Sequence, residues 1–178
     1  MRLGIRHALT LAISCSALLL LTDLGTAWAQ PAPERVFSGQ VLVSERRFPT
    51  QADSPQAFVR QIRQRATDRV REDEDNKRWR IHFASFFDRP LNDLEVTIRL
   101  YDVTTGEKRF ITSFQQFVQR RGLRSLISSI NLDRGRFEPN RRILMVMENR
   151  GRVFAQGAFH IVGKVEERSG DVDFTSGD

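Results

Sequence analysis

Alternation of apolar and polar residues with a period of two runs through most of the chain after Lys77, and it restricts the fold more than any other feature. In RWRIHFASF, the apolar residues Trp79, Ile81 and Phe83 alternate with basic or polar neighbours. LEVTIRLYDV alternates in the same way from Leu94. Successive side chains of a strand point to opposite faces, so this period indicates strands with one buried and one solvated face. The chain is therefore predicted to be mainly β.

Turn signals divide these alternating segments into seven or eight strands, the first of them in Val36–Glu45. RILMVME (Arg142–Glu148) is apolar on both faces, as expected of a central strand. Helical segments do not alternate with the strands, which disfavours a parallel α/β sheet. We therefore expect an antiparallel β-sandwich that is immunoglobulin-like in general look, although the cysteine–tryptophan–cysteine core of that fold is missing.

One amphipathic helix is predicted after the first strand, at about residues 54–72. Ser54 suits the N-cap, and Pro55 suits the first helical position, where a missing N–H costs nothing. The predicted apolar stripe of this helix consists of Phe58, Ile62, Ala66 and Val70. We expect this stripe to pack against the sheet.

The opposite face of the predicted helix is rich in arginine. Arg60 and Arg63 have no acidic residue three or four positions away, and Arg71 lies directly before the acidic run Glu72–Asp75. These three arginines are the candidate residues for binding an anion or a partner. We expect the arginine face of the helix to be a solvated surface, and docking of an anion or a partner through these three arginines is the alternative.

The first 29 residues predict a secretory signal peptide. Arg2 and Arg6 precede an uncharged apolar run that ends at Leu21, and small residues follow at the positions that signal cleavage requires. Cleavage after Ala29 would export the protein to the periplasm or the secreted space. Retention of the same segment as a membrane anchor is the alternative.

The expected exported body consists of a Pro-containing lead at residues 30–35 and a single sandwich domain at residues 36–175. The only cysteine of the chain, Cys15, lies within the predicted signal peptide. The exported body would therefore contain no disulfide, no thiol nucleophile and no cysteine-based metal site. A domain of this length can rely on its hydrophobic core alone.

Residues with the chemistry of catalysis or metal binding are sparse. His82 and His160 lie far apart in sequence and show no metal-ligand spacing. A calcium site formed by Asp88, Asp93 and Asp102 is less simple than the turn chemistry that aspartate supplies. We predict no catalytic residue, no metal and no cofactor. A small enzyme with a polar site assembled from loops is the alternative.

These observations together predict an exported, non-enzymatic binding or interaction module of a bacterial-type cell envelope or secreted space. The chain carries 28 basic and 22 acidic residues, which favours a protein partner or an anionic envelope component. Lipid head groups, lipopolysaccharide and acidic glycans are the anions available there. We expect no nucleic-acid partner and no stable membrane insertion. A purely structural envelope component is a further alternative.

Overall fold

The structure, a computed structural model, describes residues 32–164, and the mainly β class is confirmed. The predicted signal peptide lies outside the described residues. The helices and strands are α1 (Pro33–Val36), β1 (Gln40–Ser44), α2 (Pro55–Arg65), β2 (Arg69–Arg71), β3 (Arg78–Leu91), β4 (Glu95–Asp102), β5 (Arg109–Phe117), β6 (Leu123–Asp133), β7 (Arg141–Asn149) and β8 (Arg152–Val162).

All eight strands belong to one mixed sheet, in the order β5-β4-β7-β8-β1-β3-β6, with β2 added on β8. The pairs β1–β8 and β2–β8 are parallel, and the remaining pairs are antiparallel. The sheet curls into a half-barrel, so the expected sandwich of immunoglobulin-like look is not confirmed. Alternation indicates one buried face per strand, and a curled sheet meets that requirement as well as two stacked sheets do.

Two apolar cores lie on the two faces of the curled sheet. The concave core contains fully buried side chains from β3, β4 and β8, among them Trp79, Phe83, Leu100 and Phe159. The convex core lies between α2 and the strands β1 and β3, where Ile62 of the helix packs with Ala84 and Phe86. The helix therefore covers one end of the outer surface and leaves the inner core to the strands.

The start of α2 is as predicted, but its end is not. Ser54 Oγ accepts a hydrogen bond from the Ala57 amide at 3.1 Å, and Pro55 is the first helical residue. The helix ends at Arg65, before the expected boundary at about residue 72, because Ala66 adopts the extended conformation with ψ 137°.

The predicted apolar stripe is consequently divided between the two cores. Phe58, Ile62 and Ala66 pack in the convex core, whereas Val70 belongs to β2 and is buried in the concave core. Arg71 is likewise a residue of β2 and not of the helix. None of the helices in residues 32–164 is long and apolar enough to cross a membrane.

Candidate binding site

The two end strands of the sheet, β5 and β6, face each other across a gap. Within residues 32–164, β5 pairs only with β4, and β6 pairs only with β3. Ser128 Oγ of β6 donates to Gln116 Oε1 of β5 at 3.4 Å. Arg136, which follows β6, donates from Nη1 to Thr112 Oγ1 at 3.2 Å. Within residues 32–164, β5 and β6 are joined across this gap by side-chain hydrogen bonds and not by backbone pairing. We call the gap between β5 and β6 the edge slot.

Both borders of the edge slot lack the charges that usually protect exposed sheet edges. Residues 110–119, which include most of β5, contain no charged side chain, and neither do residues 125–132 of β6. Elsewhere the chain is densely charged, since 28% of all residues are charged. Natural proteins blunt free edges with lysine, proline or short strands because unpaired N–H and C=O groups recruit another strand. The edge slot is therefore open to strand addition.

The inner wall of the edge slot carries three apolar side chains beside the polar residues Thr112, Gln116 and Ser128. Phe114 of β5 and Leu126 and Ile130 of β6 are half-buried and pack against the concave core. Phe110 and Phe117, at the two ends of β5, are 55% and 70% exposed. Phe117 lies opposite Glu95 and Phe110 lies opposite Tyr101, so both aromatic side chains belong to the outer face of β5 and not to the inner wall.

An arginine-lined cavity of about 350 Å³ opens at one end of the edge slot. Its polar lining consists of Asp102, Arg109, Arg136, Glu138 and Arg141. A second cavity of about 340 Å³, which shares Arg136 and reaches Phe114 of β5 and Asn131 of β6, continues it into the edge slot. We call the first of these the arginine cavity. The cavity and the edge slot form one continuous surface.

Asp102 organises the charges of the arginine cavity. The carboxylate is buried, and it accepts hydrogen bonds from the Thr104 amide at 2.8 Å and from Arg109 Nη2 at 3.1 Å. Burial acts to raise the pKa of Asp102, but the hydrogen bonds from Thr104 and Arg109 and the charge of Arg141 together hold that pKa below its usual value. Asp102 is therefore a fixed anion that positions two guanidinium groups.

Arg136 is the cation of the cavity that an acidic ligand could reach. Arg141 also pairs with Glu138, so that both Arg109 and Arg141 have carboxylate partners. Arg136 is exposed and forms no ion pair within residues 32–164; its hydrogen bond goes to the neutral hydroxyl of Thr112. A carboxylate entering the cavity can pair with this guanidinium without displacing a carboxylate partner.

The structure separates the three arginines that the sequence grouped. Arg60 and Arg63 are exposed on α2 and line a shallow cavity of about 270 Å³ together with Val36 and Val59. The Arg63 guanidinium also lies over the Phe37 ring, 5.7 Å from its centroid. Arg71 does not line this cavity.

Arg71 is exposed on β2, where its backbone amide donates to Glu45 Oε1 at 2.9 Å. The helical spacing that placed it beside Arg60 and Arg63 does not exist, because α2 ends at Arg65. Two residues, Arg60 and Arg63, therefore remain as one surface on the helix.

The three aspartates considered for calcium each pair with an arginine instead. The pairs are Asp88–Arg89 at 2.7 Å, Asp93–Arg150 at 3.0 Å and Asp102–Arg109 at 3.1 Å. No group of three or more histidine, cysteine or acidic side chains within residues 32–164 is arranged to hold a metal ion.

The two histidines lie on different strands, His82 on β3 and His160 on β8. Burial, together with the charges of Arg47 and Arg80, lowers the pKa of His82. Neither histidine lines the arginine cavity or the cavity beside Arg60 and Arg63. Both cavities therefore contain groups that can bind an anion, and neither histidine is one of these groups.

Comparison with known proteins adds no family to this description. No protein-family model matches the sequence, and no curated protein is significantly similar to it. The interpretation of the site therefore depends on its own geometry.

The edge slot was not predicted from the sequence. Edge strands are defined by the order of strands in the sheet, which depends on contacts between distant residues. A signal was nevertheless present, because the uncharged residues 110–119 and 125–132 stand out in a chain with 28% charged residues.

Proposed function

We propose that the protein is an exported, non-enzymatic binding module that accepts an extended segment in the edge slot by strand addition. The observation that supports this proposal is the pair of strand edges, unpaired within residues 32–164 and uncharged over residues 110–117 and 125–132, that face each other across the edge slot. A strand placed there would pair its backbone with β5 on one side and β6 on the other. Backbone pairing would supply affinity, and the inner wall and the arginine cavity would select side chains.

The chemistry of the edge slot favours a ligand with alternating apolar and polar residues and an acidic end. Phe114, Leu126 and Ile130 would receive the apolar side chains of the ligand. Arg136, with no carboxylate partner within residues 32–164, would receive a carboxylate. A protein partner of this kind fits the surface better than a small anion does, because the cavity is continuous with the edge slot.

Selection of short displayed random peptides on the exported form of the protein tests this function. Two matched variants report on the edge slot, Gln116→Lys and Gln115→Lys. Gln116 is half-buried and lies opposite the buried Val96, so its side chain faces the slot, whereas the exposed Gln115 lies opposite Thr97 on the other face. We expect Gln116→Lys to weaken binding of the selected peptides about tenfold or more, because a lysine in the slot opposes strand pairing.

Gln115→Lys adds the same charge to the same strand and is expected to leave peptide binding unchanged. Selected peptides should alternate apolar residues and include an acidic end. Peptides that bind both variants equally well, or a selection that yields no binders, would contradict the proposal.

A further inference from the structure

We propose that Arg69, His160 and Arg142 form an anion-binding site on the convex face of the sheet, and that its ligand is inorganic phosphate or a phosphate monoester. We call these three residues the basic row. The inference goes beyond the proposed function, because the inner wall of the edge slot packs against the concave core and the basic row lies on the opposite face. The tests of the two sites are therefore independent of each other.

The register of three strands places the residues of the basic row side by side. β8 lies between β7 and β2, and His160 is directly opposite Arg142 in one pair and directly opposite Arg69 in the other. Residues directly opposite each other in a ladder point to the same face of the sheet. Neighbouring strands are about 4.8 Å apart, so the backbones of Arg69 and Arg142 are separated by about 10 Å, with His160 between them.

The basic row points away from the concave core. Val70, Ile143 and Ile161, each of which follows one residue of the row along its strand, are all buried in that core. Because side chains alternate between the two faces of a strand, the basic row lies on the convex face. The two arginines are exposed there, and the histidine between them is half-buried.

The side chains of the basic row have no partner among the described residues. Like charges directly opposite each other in a sheet destabilise the pair, whereas opposite charges stabilise it. Within residues 32–164, none of the three side chains forms an ion pair or a hydrogen bond, and His160 Nδ1 is buried without a partner. Buried polar atoms are nearly always hydrogen-bonded in native proteins. An anion bound over His160 would offset the repulsion between the basic side chains.

Two acidic residues lie near the basic row, and neither neutralises it. Glu45 accepts a hydrogen bond from the backbone amide of Arg71, an exposed cation two residues after Arg69 on β2. Asp68 precedes Arg69 directly, and its backbone carbonyl accepts a hydrogen bond from the His160 amide at 2.7 Å. The Asp68 carboxylate forms no ion pair within residues 32–164. The arginines on this part of the convex face therefore outnumber the carboxylates.

The donors of the basic row suit the three free oxygens of a phosphate monoester. A guanidinium group can donate two parallel hydrogen bonds to a phosphate, and a phosphate monoester carries a charge of about −1.5 to −2 at neutral pH. The two arginines can approach such a group from opposite sides, with the imidazole of His160 beneath it. A phosphate diester keeps only two free oxygens and a single charge, so it would use fewer of these donors.

A cavity of about 440 Å³ lies beside the basic row. Ala158, which lines this cavity, is two residues before His160 and therefore on the same face of β8. Leu42 and Ala66 are further apolar residues of the lining, and Asp68 adds one carboxylate. The organic part of a phosphate ester can lie in this cavity, and the carboxylate disfavours a second anionic group there.

Titration of the full chain with inorganic phosphate and with glycerol 3-phosphate, at constant ionic strength, tests the site. The NMR signals of the His160 imidazole, assigned with His160→Gln, report binding, and His82 on β3 is the internal control. Exposed ion pairs contribute little individually, so we expect Kd on the order of millimolar for both probes. Dimethyl phosphate, a diester, should bind at least about tenfold more weakly.

Paired variants separate the basic row from general positive charge. Arg69→Gln combined with Arg142→Gln should raise Kd for inorganic phosphate at least about tenfold. The matched control, Arg60→Gln combined with Arg63→Gln, removes two exposed arginines from α2 and should change Kd less than about twofold. Equal effects of the two variants, or a His160 signal that does not respond to phosphate, would overturn the inference.

A lysine variant tests the requirement for guanidinium groups. Arg69→Lys combined with Arg142→Lys keeps both charges but removes the planar fork that binds two phosphate oxygens. We expect this variant to bind inorganic phosphate more weakly than the unaltered chain and more tightly than the glutamine variant. Binding as tight as that of the unaltered chain would overturn the site in favour of diffuse electrostatic attraction.

Lipid vesicles distinguish two sources of the phosphate monoester. Phosphatidic acid presents a monoester at the membrane surface, whereas phosphatidylglycerol presents a diester. Binding to phosphatidic acid vesicles at physiological salt that is lost in the Arg69→Gln/Arg142→Gln variant would support the site and identify a lipid head group as the source. Binding of glycerol 3-phosphate without binding to these vesicles would support the site and identify a soluble ester. Equal binding to both kinds of vesicle would overturn the assignment of a monoester.

Discussion

At the scale of single residues, Gly157 fixes how closely the first and last strands approach each other. A Cβ atom at Gly157 would lie 2.0 Å from the Val41 carbonyl oxygen of β1. No side chain can be accommodated there without moving backbone, because contacts this short do not occur between real atoms. A glycine inside a strand often marks such a close approach of two backbones.

Gly157→Ala is therefore expected to lower the free energy of unfolding by about 1–3 kcal/mol, the usual cost of forcing extra volume into a packed site. Chemical denaturation of both chains measures the difference. Gly135→Ala is the matched control, because a Cβ atom at Gly135 meets nothing within 4 Å. That control should change the free energy of unfolding by less than about 0.5 kcal/mol. Equal results for the two variants would show that β1 and β8 lie further apart.

At the scale of elements, α2 is held by a small number of buried side chains. Ile62 is completely buried, and Val59 is nearly so, whereas the rest of the helix is half-buried or exposed. Ile62→Ala should reduce the free energy of unfolding by about 2–5 kcal/mol, because it removes a large side chain from the convex core. Thermal or chemical denaturation measures this effect.

Gln64→Ala provides the control for Ile62→Ala, since Gln64 is an exposed residue of the same helix. We expect that control to leave stability almost unchanged. An Ile62→Ala variant as stable as the Gln64→Ala variant would mean that the helix does not pack on the sheet in solution.

The arginine surface of α2 is expected to bind anionic membranes weakly. A basic residue near an anionic lipid surface contributes about 1 kcal/mol, so Arg60 and Arg63, with Arg71 on β2, give binding that physiological salt removes. Co-sedimentation with anionic lipid vesicles at low and physiological salt measures this. The variant Arg60→Gln/Arg63→Gln/Arg71→Gln should lose a small part of the binding seen at low salt.

A second triple variant controls for net charge in that experiment. Arg120→Gln, Arg121→Gln and Arg124→Gln remove three exposed arginines from the turn after β5 and the start of β6. Strong binding at physiological salt that disappears only in the Arg60, Arg63 and Arg71 variant would contradict our expectation, and it would identify a true docking surface.

Local patterns predicted most of the elements, but they did not predict α1, β2 or the arrangement of the strands. Alternation identified the strands, and Ser54 and Pro55 marked the start of α2 correctly. The end of α2 was predicted wrongly because Val70 lies at helical spacing from Ala66 although it is buried in a strand. The spacing of apolar residues predicts that a residue is buried, but it does not predict in which of the two cores the residue lies. The candidate site depends on the order of strands in the sheet. That order cannot be predicted from the spacing of residues along one strand.

At the scale of the whole molecule, export remains a prediction from the first 29 residues. Intact-mass measurement of the protein from periplasmic or secreted fractions should give a chain that begins at Gln30. Replacing the small residues Ala27 and Ala29 with arginine should block that cleavage. A protein that retains residues 1–29 in the unaltered chain would contradict the prediction and would support a membrane anchor.

The position of β8 in the sheet has a consequence for the order in which the molecule can assemble. β8 joins β7 on one side to β1 and β2 on the other, so it connects a half made of β5, β4 and β7 to a half made of β1, β3 and β6. When the chain leaves a ribosome or a translocation channel with its N-terminus first, the two halves of the sheet cannot pair until Arg152–Val162 has emerged. The chain thus stays incompletely folded, with unpaired edges, through most of its emergence, and a chaperone that recognises open strand edges has that interval in which to act.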